Sequence, residues 1–249
     1  MLLESIRIDR NSFIPDLVRQ DYRTAIVFGK YDIDFSGDTK WTLGKACEMK
    51  GLEFDSLKKE LENSVRTLRL SGSIPFDQWN VDFMTNYLVN IHHQYLRDVL
   101  PKIKEYLNRC VENDARKFPY FADVQKQFNY LFKDILPHLQ QEEEILFPYI
   151  RQISHAYESK ESYASLLVRT LRKPVEDVMN HEHETVSKVL RRIRELTNNY
   201  TSPENASICH QVAFSMLKEL DDDLVQHVYL ENDILFSKAV TMEKELLQR

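Results

Sequence analysis

Residues that interrupt helices are scarce in this sequence, with five glycines and eight prolines among 249 residues. Because both residue types mark turns and chain breaks, their scarcity favours long helices and argues against a β-rich fold. No apolar run approaches the roughly 20 residues that cross a bilayer. The segment from Met1 to Ser12 also lacks the apolar stretch of a secretory signal. We therefore expect an all-α protein that is not bound to a membrane.

The sequence contains few cysteines, and its net charge is small. Cys47, Cys110 and Cys209 are odd in number, far apart in sequence, and without the spacing of a zinc knuckle. They predict buried, reduced thiols in a cytoplasmic protein. Lys and Arg total 33 against 39 Asp and Glu, giving a net charge of −6. Since no basic cluster stands out, we expect no nucleic-acid partner.

The helical pattern has one clear interruption, at Ser71-Gly72-Ser73-Ile74-Pro75. It predicts a small helical N-terminal domain over residues 1–70 and a larger domain over 76–249. In the larger domain, amphipathic segments span about 82–111, 121–154, 174–198 and 204–243. Ser202 and Pro203 are typical of a helix start, so we expect the last helix to begin there. Four helices with short connections predict an antiparallel four-helix bundle.

Each of these segments carries an apolar stripe with alternating spacings of three and four residues, the pattern of an inward face. Six polar residues interrupt the stripes at inward positions: His93, His138, Glu142, His183, His227 and Glu231. Two carboxylates among leucines and isoleucines are unfavourable unless they are paired with a cation. Burial also lowers the basicity of histidine, so metal ions are better partners for the carboxylates than protonated imidazoles.

The candidate ligands are duplicated along the chain. His138 and Glu142 recur as His227 and Glu231 at an offset of 89 residues, and His93 and His183 lie 90 residues apart. Residues i and i+4 share a helix face, so each H-x-x-x-E pair directs a nitrogen and an oxygen to one place. Two such halves predict a pseudo-two-fold axis through the bundle.

The chemistry of this set predicts two metal ions. Four imidazole nitrogens and four carboxylate oxygens exceed the needs of one tetrahedral zinc, whereas Glu142 and Glu231 could each bridge a metal pair. Histidine and carboxylate sites with vacant positions favour iron, and manganese or a mixed pair stays open. No H-E-x-x-H motif of the zinc proteases is present.

Two motifs, H-L-Q-Q-E-E-E-I-L-F-P from His138 and H-V-Y-L-E-N-D-I-L-F from His227, resemble those of hemerythrin-like di-iron domains. Over nearly its whole length the chain is similar to the repair-of-iron-centres (Ric) family. That resemblance implies a cytoplasmic di-iron protein of the bacterial nitrosative and oxidative stress response. It also implies damaged iron–sulfur proteins as partners, with oxygen and nitric oxide as small ligands, and it leaves a homodimer possible.

The N-terminal piece resembles the small domain of that family through residues 28–35 and 40–43. Where the family continues with two adjacent cysteines, this chain has Ser36-Gly37-Asp38-Thr39. Serine and glycine supply no thiolate for metal binding or redox exchange. A step that depends on this cysteine pair is therefore not expected here.

Three functions are compatible with these features. The first is a Ric-like role, in which the di-iron centre donates iron to damaged clusters or reacts with nitric oxide or oxygen species. The second is a hemerythrin-like module that binds or senses oxygen or nitric oxide without turnover. In the third, the N-terminal piece docks a partner or dimerises, and the metal only stabilises the fold. Whether the protein is an enzyme is left open.

Overall fold

A computed structural model describes residues 8–35, 40–65, 74–171 and 175–248, without the side chains of 171 and 175–182. In these ranges the ordered structure is helical, and the only extended pairing described there is an isolated bridge between Phe13 and Thr42. The expected all-α class is therefore confirmed. None of the helices in the described ranges is long and apolar enough to span a bilayer.

Four short helices make up the N-terminal part: α1 (Ile14–Gln20), α2 (Arg23–Lys30), α3 (Leu43–Lys50) and α4 (Phe54–Ser64). Local chemistry fixes their starts. The Thr42 hydroxyl accepts a hydrogen bond from the Lys45 amide, and the Glu53 carboxylate accepts from the amides of the first turn of α4. Their apolar faces bury Leu17, Phe28 and Leu61.

The remainder of the chain forms long helical stretches, three of which contain a π-helical turn. The elements are α5 (Val81–Tyr87), a first π turn (Leu88–His93), α6 (Gln94–Asp114), α7 (Phe121–Gln141), a second π turn (Glu142–Leu146), α8 (Phe147–Glu158), α9 (Ala164–Leu171), α10 (Val175–Leu196), α11 (Ile208–Tyr229), a third π turn (Leu230–Phe236) and α12 (Ser237–Gln248). The four segments predicted from the apolar stripes thus correspond to 81–114, 121–158, 175–196 and 208–248.

The expected start of the last helix at Ser202 is wrong, because α11 begins at Ile208. The residue before it provides the reason. The Ser207 hydroxyl accepts a hydrogen bond from the His210 amide at 3.1 Å, which satisfies one of the unpaired donors of the first turn. Ser202 precedes a turn instead. A short helix that the sequence did not indicate, α9, also lies in the connection before Pro174.

Contacts divide the chain into two compact units. One comprises residues 1–72, 105–122 and 200–218, and the other comprises 73–104, 123–199 and 219–249. A large apolar cluster in the second unit includes Leu88, Phe147, Ile150 and Leu235, all buried. The boundary between independently folding domains over 1–70 and 76–249 stays a prediction.

Candidate metal centre

All six candidate ligands lie in the second compact unit, on four different helical stretches. His93 ends the first π turn, His183 is on α10, and the two H-x-x-x-E pairs run from α7 and α11 into the second and third π turns. Each side chain is buried, and His138, at 7 % exposure, is the most accessible. The apolar stripes therefore identified inward positions correctly.

The structure brings these side chains into two groups of four. The first group is His93, Glu142, His227 and Glu231. In it the Nε2 atoms of His93 and His227 lie 3.1 Å apart. His227 Nε2 is 2.9 Å from Glu231 Oε1, and His93 Nε2 is 3.5 Å from Glu142 Oε2. Two nitrogens and two carboxylate oxygens thus converge.

The second group is His138, Glu142, His183 and Glu231. The Nε2 atoms of His138 and His183 are 3.3 Å apart. His138 Nε2 lies 3.3 Å from Glu142 Oε1, and His183 Nε2 lies 3.3 Å from Glu231 Oε2. This group repeats the composition of the first, as the duplicated motif predicts.

Glu142 and Glu231 belong to both groups. Each carboxylate directs one oxygen into the first group and the other oxygen into the second. Glu142 directs Oε2 towards His93 and Oε1 towards His138. Glu231 directs Oε1 towards His227 and Oε2 towards His183. A carboxylate divided in this way is arranged to bridge two cations.

The donor atoms fit metal ions better than they fit one another. None of the four oxygens of Glu142 and Glu231, all buried, has a hydrogen-bond partner within the described part of the chain. Leaving a buried charged group without a partner is strongly unfavourable. In each group the ligand atoms lie within 4.8 Å of one another. A metal about 2.1 Å from each ligand holds neighbouring ligand atoms about 3 Å apart, close to the distances found here.

The electrostatics of the two buried carboxylates also favour bound cations. Burial and repulsion from Glu231 raise the pKa of Glu142. Burial also acts to raise the pKa of Glu231, but His227, His183 and His93 together lower it well below its usual value. Two carboxylates this close ionise together only if positive charge lies between them. Bound cations provide that charge without protonating the imidazoles.

Hydrogen bonds from the outer side of the cluster orient two of the histidines. His93 donates from Nδ1 to Glu143 Oε1 at 2.7 Å, and Arg97 donates to the same oxygen at 2.9 Å. His183 donates from Nδ1 to Asn232 Oδ1 at 2.9 Å. Both contacts leave the Nε2 lone pair directed into the cluster, the tautomer that binds a metal.

A further polar contact lies behind His227. The buried His92 ring stacks against the His227 ring with centroids 5.7 Å apart, and its Nδ1 lies 2.9 Å from Asp223 Oδ1. His92 therefore supports the cluster through ring packing and directs neither nitrogen into either group of four.

The three π turns coincide with the site. His93 is the last residue of the first, Glu142 opens the second, and Glu231 lies in the third. A π turn widens the helix locally and often occurs where a helix carries functional groups. Apolar spacing gives no signal for it, so the sequence did not indicate these turns.

Two further histidines lie outside the cluster. His155 is exposed and contacts Asp82 at 2.7 Å. His210 is fully buried among Phe118, Phe121 and Phe214. The side chains of His181 and Glu182 and the segment 36–39 lie outside the described residues.

Comparison with known proteins gives a family match and a set of relatives. The model of the hemerythrin HHE cation-binding domain matches residues 85–239, which contain all six candidate ligands. The iron-sulfur cluster repair protein YtfE of Enterobacter sp. (strain 638) is 28% identical over 239 residues, covering 94% of this chain and 99% of that protein. YtfE of Escherichia coli O81 (strain ED1a) is 28% identical over 238 residues with the same coverage. These findings agree with the resemblance drawn from the motifs.

Proposed function

Since the chain belongs to the hemerythrin HHE cation-binding family, we propose that it is a di-iron protein that helps to repair iron–sulfur clusters under nitrosative or oxidative stress. The observation that carries the proposal is the sharing of Glu142 and Glu231 between two groups of buried donors. The printed names of relatives that align with 94% of the chain support the repair role.

Two ions account for the donor set. One would be held by His93 and His227 and the other by His138 and His183, with both carboxylates common to the pair. Each group offers two nitrogens and two oxygens, which leaves coordination positions for a further ligand on a metal that prefers more than four. Nitrogen and oxygen donors with vacant positions favour iron, and manganese or a mixed pair is the alternative that metal analysis decides.

When bound, an iron pair would supply redox chemistry and exchangeable positions for nitric oxide or oxygen, or iron itself for a damaged cluster. The protein's part is to hold the donors in place. His93 and His183 are oriented by Glu143 and Asn232. Because each bridging carboxylate contributes to both groups, displacement of either one would weaken the hold on both ions.

The partners follow from this role. Damaged iron–sulfur proteins would receive the repair activity, and oxygen and nitric oxide would be the small ligands. The cytoplasmic setting and a homodimer are further parts of the proposal, whereas an N-terminal domain over 1–70 that docks a partner belongs to the alternative in which the metal only stabilises the fold. The Ser36–Thr39 segment supplies no thiolate, so the repair step is assigned to the bundle alone.

Metal analysis combined with optical spectra under oxygen and nitric oxide tests the proposal. We expect two irons per chain, spectra that respond to nitric oxide, and restoration of an apo iron–sulfur protein. His93→Ala should lose iron and alter the spectra, whereas His155→Ala, a control on the exposed surface, should retain both. Unchanged iron content and spectra in His93→Ala would overturn the site assignment.

The hemerythrin-like binding module is the second candidate, favoured by the absence of the paired cysteines at 36–39. Its signature is reversible oxygen or nitric oxide binding through repeated cycles, with no iron transferred to an apo iron–sulfur protein. If the protein is fully loaded with iron and behaves in this way, its function is the binding or sensing of a small ligand, and the repair role is wrong. Metal removal that leaves partner binding intact would instead indicate a purely structural metal.

A further inference from the structure

Two cysteines that are far apart in sequence meet in the first compact unit. Cys110 lies on α6 and Cys209 on α11, and their Sγ atoms are 3.6 Å apart, within reach of an S–H···S hydrogen bond. Cys110 is completely buried, whereas Cys209 is partly exposed. None of the metal-centre residues takes part in this contact.

We propose that Cys110 and Cys209 form a redox-active dithiol that closes to an intramolecular disulfide by exchange with a small-molecule disulfide. A disulfide bond is about 2.05 Å long, so the two sulfurs must approach by about 1.5 Å. Small rotations about the Cα–Cβ bonds can supply much of that movement. The site is separate from the proposed di-iron function and does not depend on it.

The surrounding contacts fix the two helix ends around the sulfurs. The Ser207 hydroxyl donates to Asp114 Oδ2 at 2.5 Å, and Lys117 Nζ donates to the Asn205 carbonyl at 2.7 Å. Ser207 comes two residues before Cys209, and Asp114 lies one turn beyond Cys110. Holding the thiols together in this way raises their effective concentration for one another.

The two thiols are not equivalent, which assigns them different roles. The hydrogen bond between the two thiols lowers the pKa of Cys209, and the positive charge of Arg109 acts in the same direction, while burial and Asp114 act to raise it. The same hydrogen bond, together with burial, raises the pKa of Cys110. Cys209 is also the more exposed of the two residues, so it is placed to react first.

The exchange takes place in two steps. The Cys209 thiolate attacks one sulfur of the small disulfide, forming a mixed disulfide and releasing one small thiolate. The Cys110 thiol then loses its proton to solvent, attacks the Cys209 sulfur and releases the second small thiolate. The protein gives up two electrons and two protons, and one small disulfide becomes two thiols.

Cys47 provides the matched control. It lies on α3, it is buried, and burial raises its pKa. It has the chemistry of a free thiol without the neighbouring sulfur. Cys47→Ser should therefore leave the exchange unchanged, while Cys110→Ser and Cys209→Ser should each prevent formation of the intramolecular disulfide.

The test incubates the full-length, metal-loaded protein with mixtures of reduced and oxidised glutathione, traps free thiols by alkylation, and maps disulfides by mass spectrometry. We expect a cross-link between the peptides of Cys110 and Cys209 in the wild type and in Cys47→Ser. The cross-link should form at least about tenfold faster in folded than in urea-unfolded protein, as expected for preorganised thiols. Cys110→Ser should instead accumulate glutathione on Cys209, because the second step is lost.

Absence of the cross-link in folded wild type at every glutathione ratio would overturn the proposal. Equal rates in folded and unfolded protein would do so as well, and both readouts use the wild type if a serine variant fails to fold. Iron content is measured on the same samples. A low iron content would contradict the di-iron proposal, and a missing cross-link in the peptide map would contradict the dithiol proposal, so the two failures are distinguishable.

Discussion

Glu143 accepts a hydrogen bond from Nδ1 of His93 at 2.7 Å, and it does so from the position directly after the shared carboxylate Glu142. The other half of the bundle repeats the arrangement, with Asn232 directly after Glu231 and 2.9 Å from Nδ1 of His183. The residue after each shared carboxylate thus orients the lone histidine of its own half. The duplication extends beyond the candidate ligands, with a carboxylate in one half and an amide in the other.

Removing either orienting group should weaken metal binding while leaving the ligands in place. We expect Glu143→Ala and Asn232→Ala each to lower metal affinity by roughly 10- to 100-fold, because the histidine loses its fixed tautomer and ring orientation. Competition with a chelator of known affinity measures the change. Glu143→Ala should have the larger effect, since a carboxylate also makes the imidazole a stronger ligand.

Glu144→Ala is the matched control, because Glu144 is the exposed neighbour in the same run of three glutamates and pairs with Gln140. Its metal affinity should equal that of the wild type. An equal loss in Glu144→Ala and Glu143→Ala would mean that the net negative charge of the helix, and not the contact to His93, determines the affinity.

The six inward polar residues were predictable because their signal is local. Each stands where the three- and four-residue spacing demands an apolar side chain, and a buried carboxylate such as Glu231 requires a cation wherever it occurs. The assignment of these residues as ligands remains a prediction. The all-α fold follows from the same periodicity.

Features that depend on distant partners were not predictable from one sequence. Glu143 stands in a run of three glutamates, which is typical of a solvated helix face. Only its contact with His93 in the folded protein gives it a role at the site. Cys110 and Cys209 are 99 positions apart, and no periodicity relates them. The π turns are shifts in hydrogen-bond register, to which apolar spacing is insensitive.

Single-ligand variants should separate the two groups of donors. His93→Ala and His138→Ala each remove a nitrogen from only one group, so each should retain about one metal per chain. Glu142→Ala removes an oxygen from both groups and should retain less than either. Elemental analysis of the purified variants measures this order, with His155→Ala as the unaffected control. Equal loss in all three would indicate that the two ions bind only as a pair.

Glu142→Gln should change stability in opposite directions with and without metal. In the metal-free protein it replaces a buried carboxyl group, whose charged form is disfavoured by burial and by Glu231, with a neutral amide, so the free energy of unfolding should rise by about 1 kcal/mol or more. In the loaded protein it weakens a shared ligand, so the variant should lose stability relative to the wild type. Urea unfolding before and after chelation gives both values. A loss of the same size in both states would mean that Glu142 acts through packing and not through its charge.

His210 should make stability depend on pH independently of the metal. Its ring is buried among aromatic side chains, and Tyr120 Oη lies 3.2 Å from its Nε2. Burial lowers its pKa from 6.5 to about 4, so the folded state disfavours the protonated form. Between these two values the unfolded chain binds more protons than the folded one, and stability therefore rises with pH. The contribution is complete above pH 6.5 and is lost progressively as the pH falls towards 4.

Urea unfolding of metal-free wild type and His210→Phe at several pH values between 7.5 and 4.5 isolates this contribution. Chelation removes competition between protons and metal, and the difference between the two proteins cancels the titration of the cluster histidines. The stability of the wild type relative to the variant should fall by up to about 1.4 kcal/mol per pH unit below pH 6.5. His155→Ala, which alters an exposed imidazole, should follow the wild type throughout. A constant difference between wild type and His210→Phe across that range would mean that the folded protein accommodates a charged imidazole, most simply by admitting water to the ring.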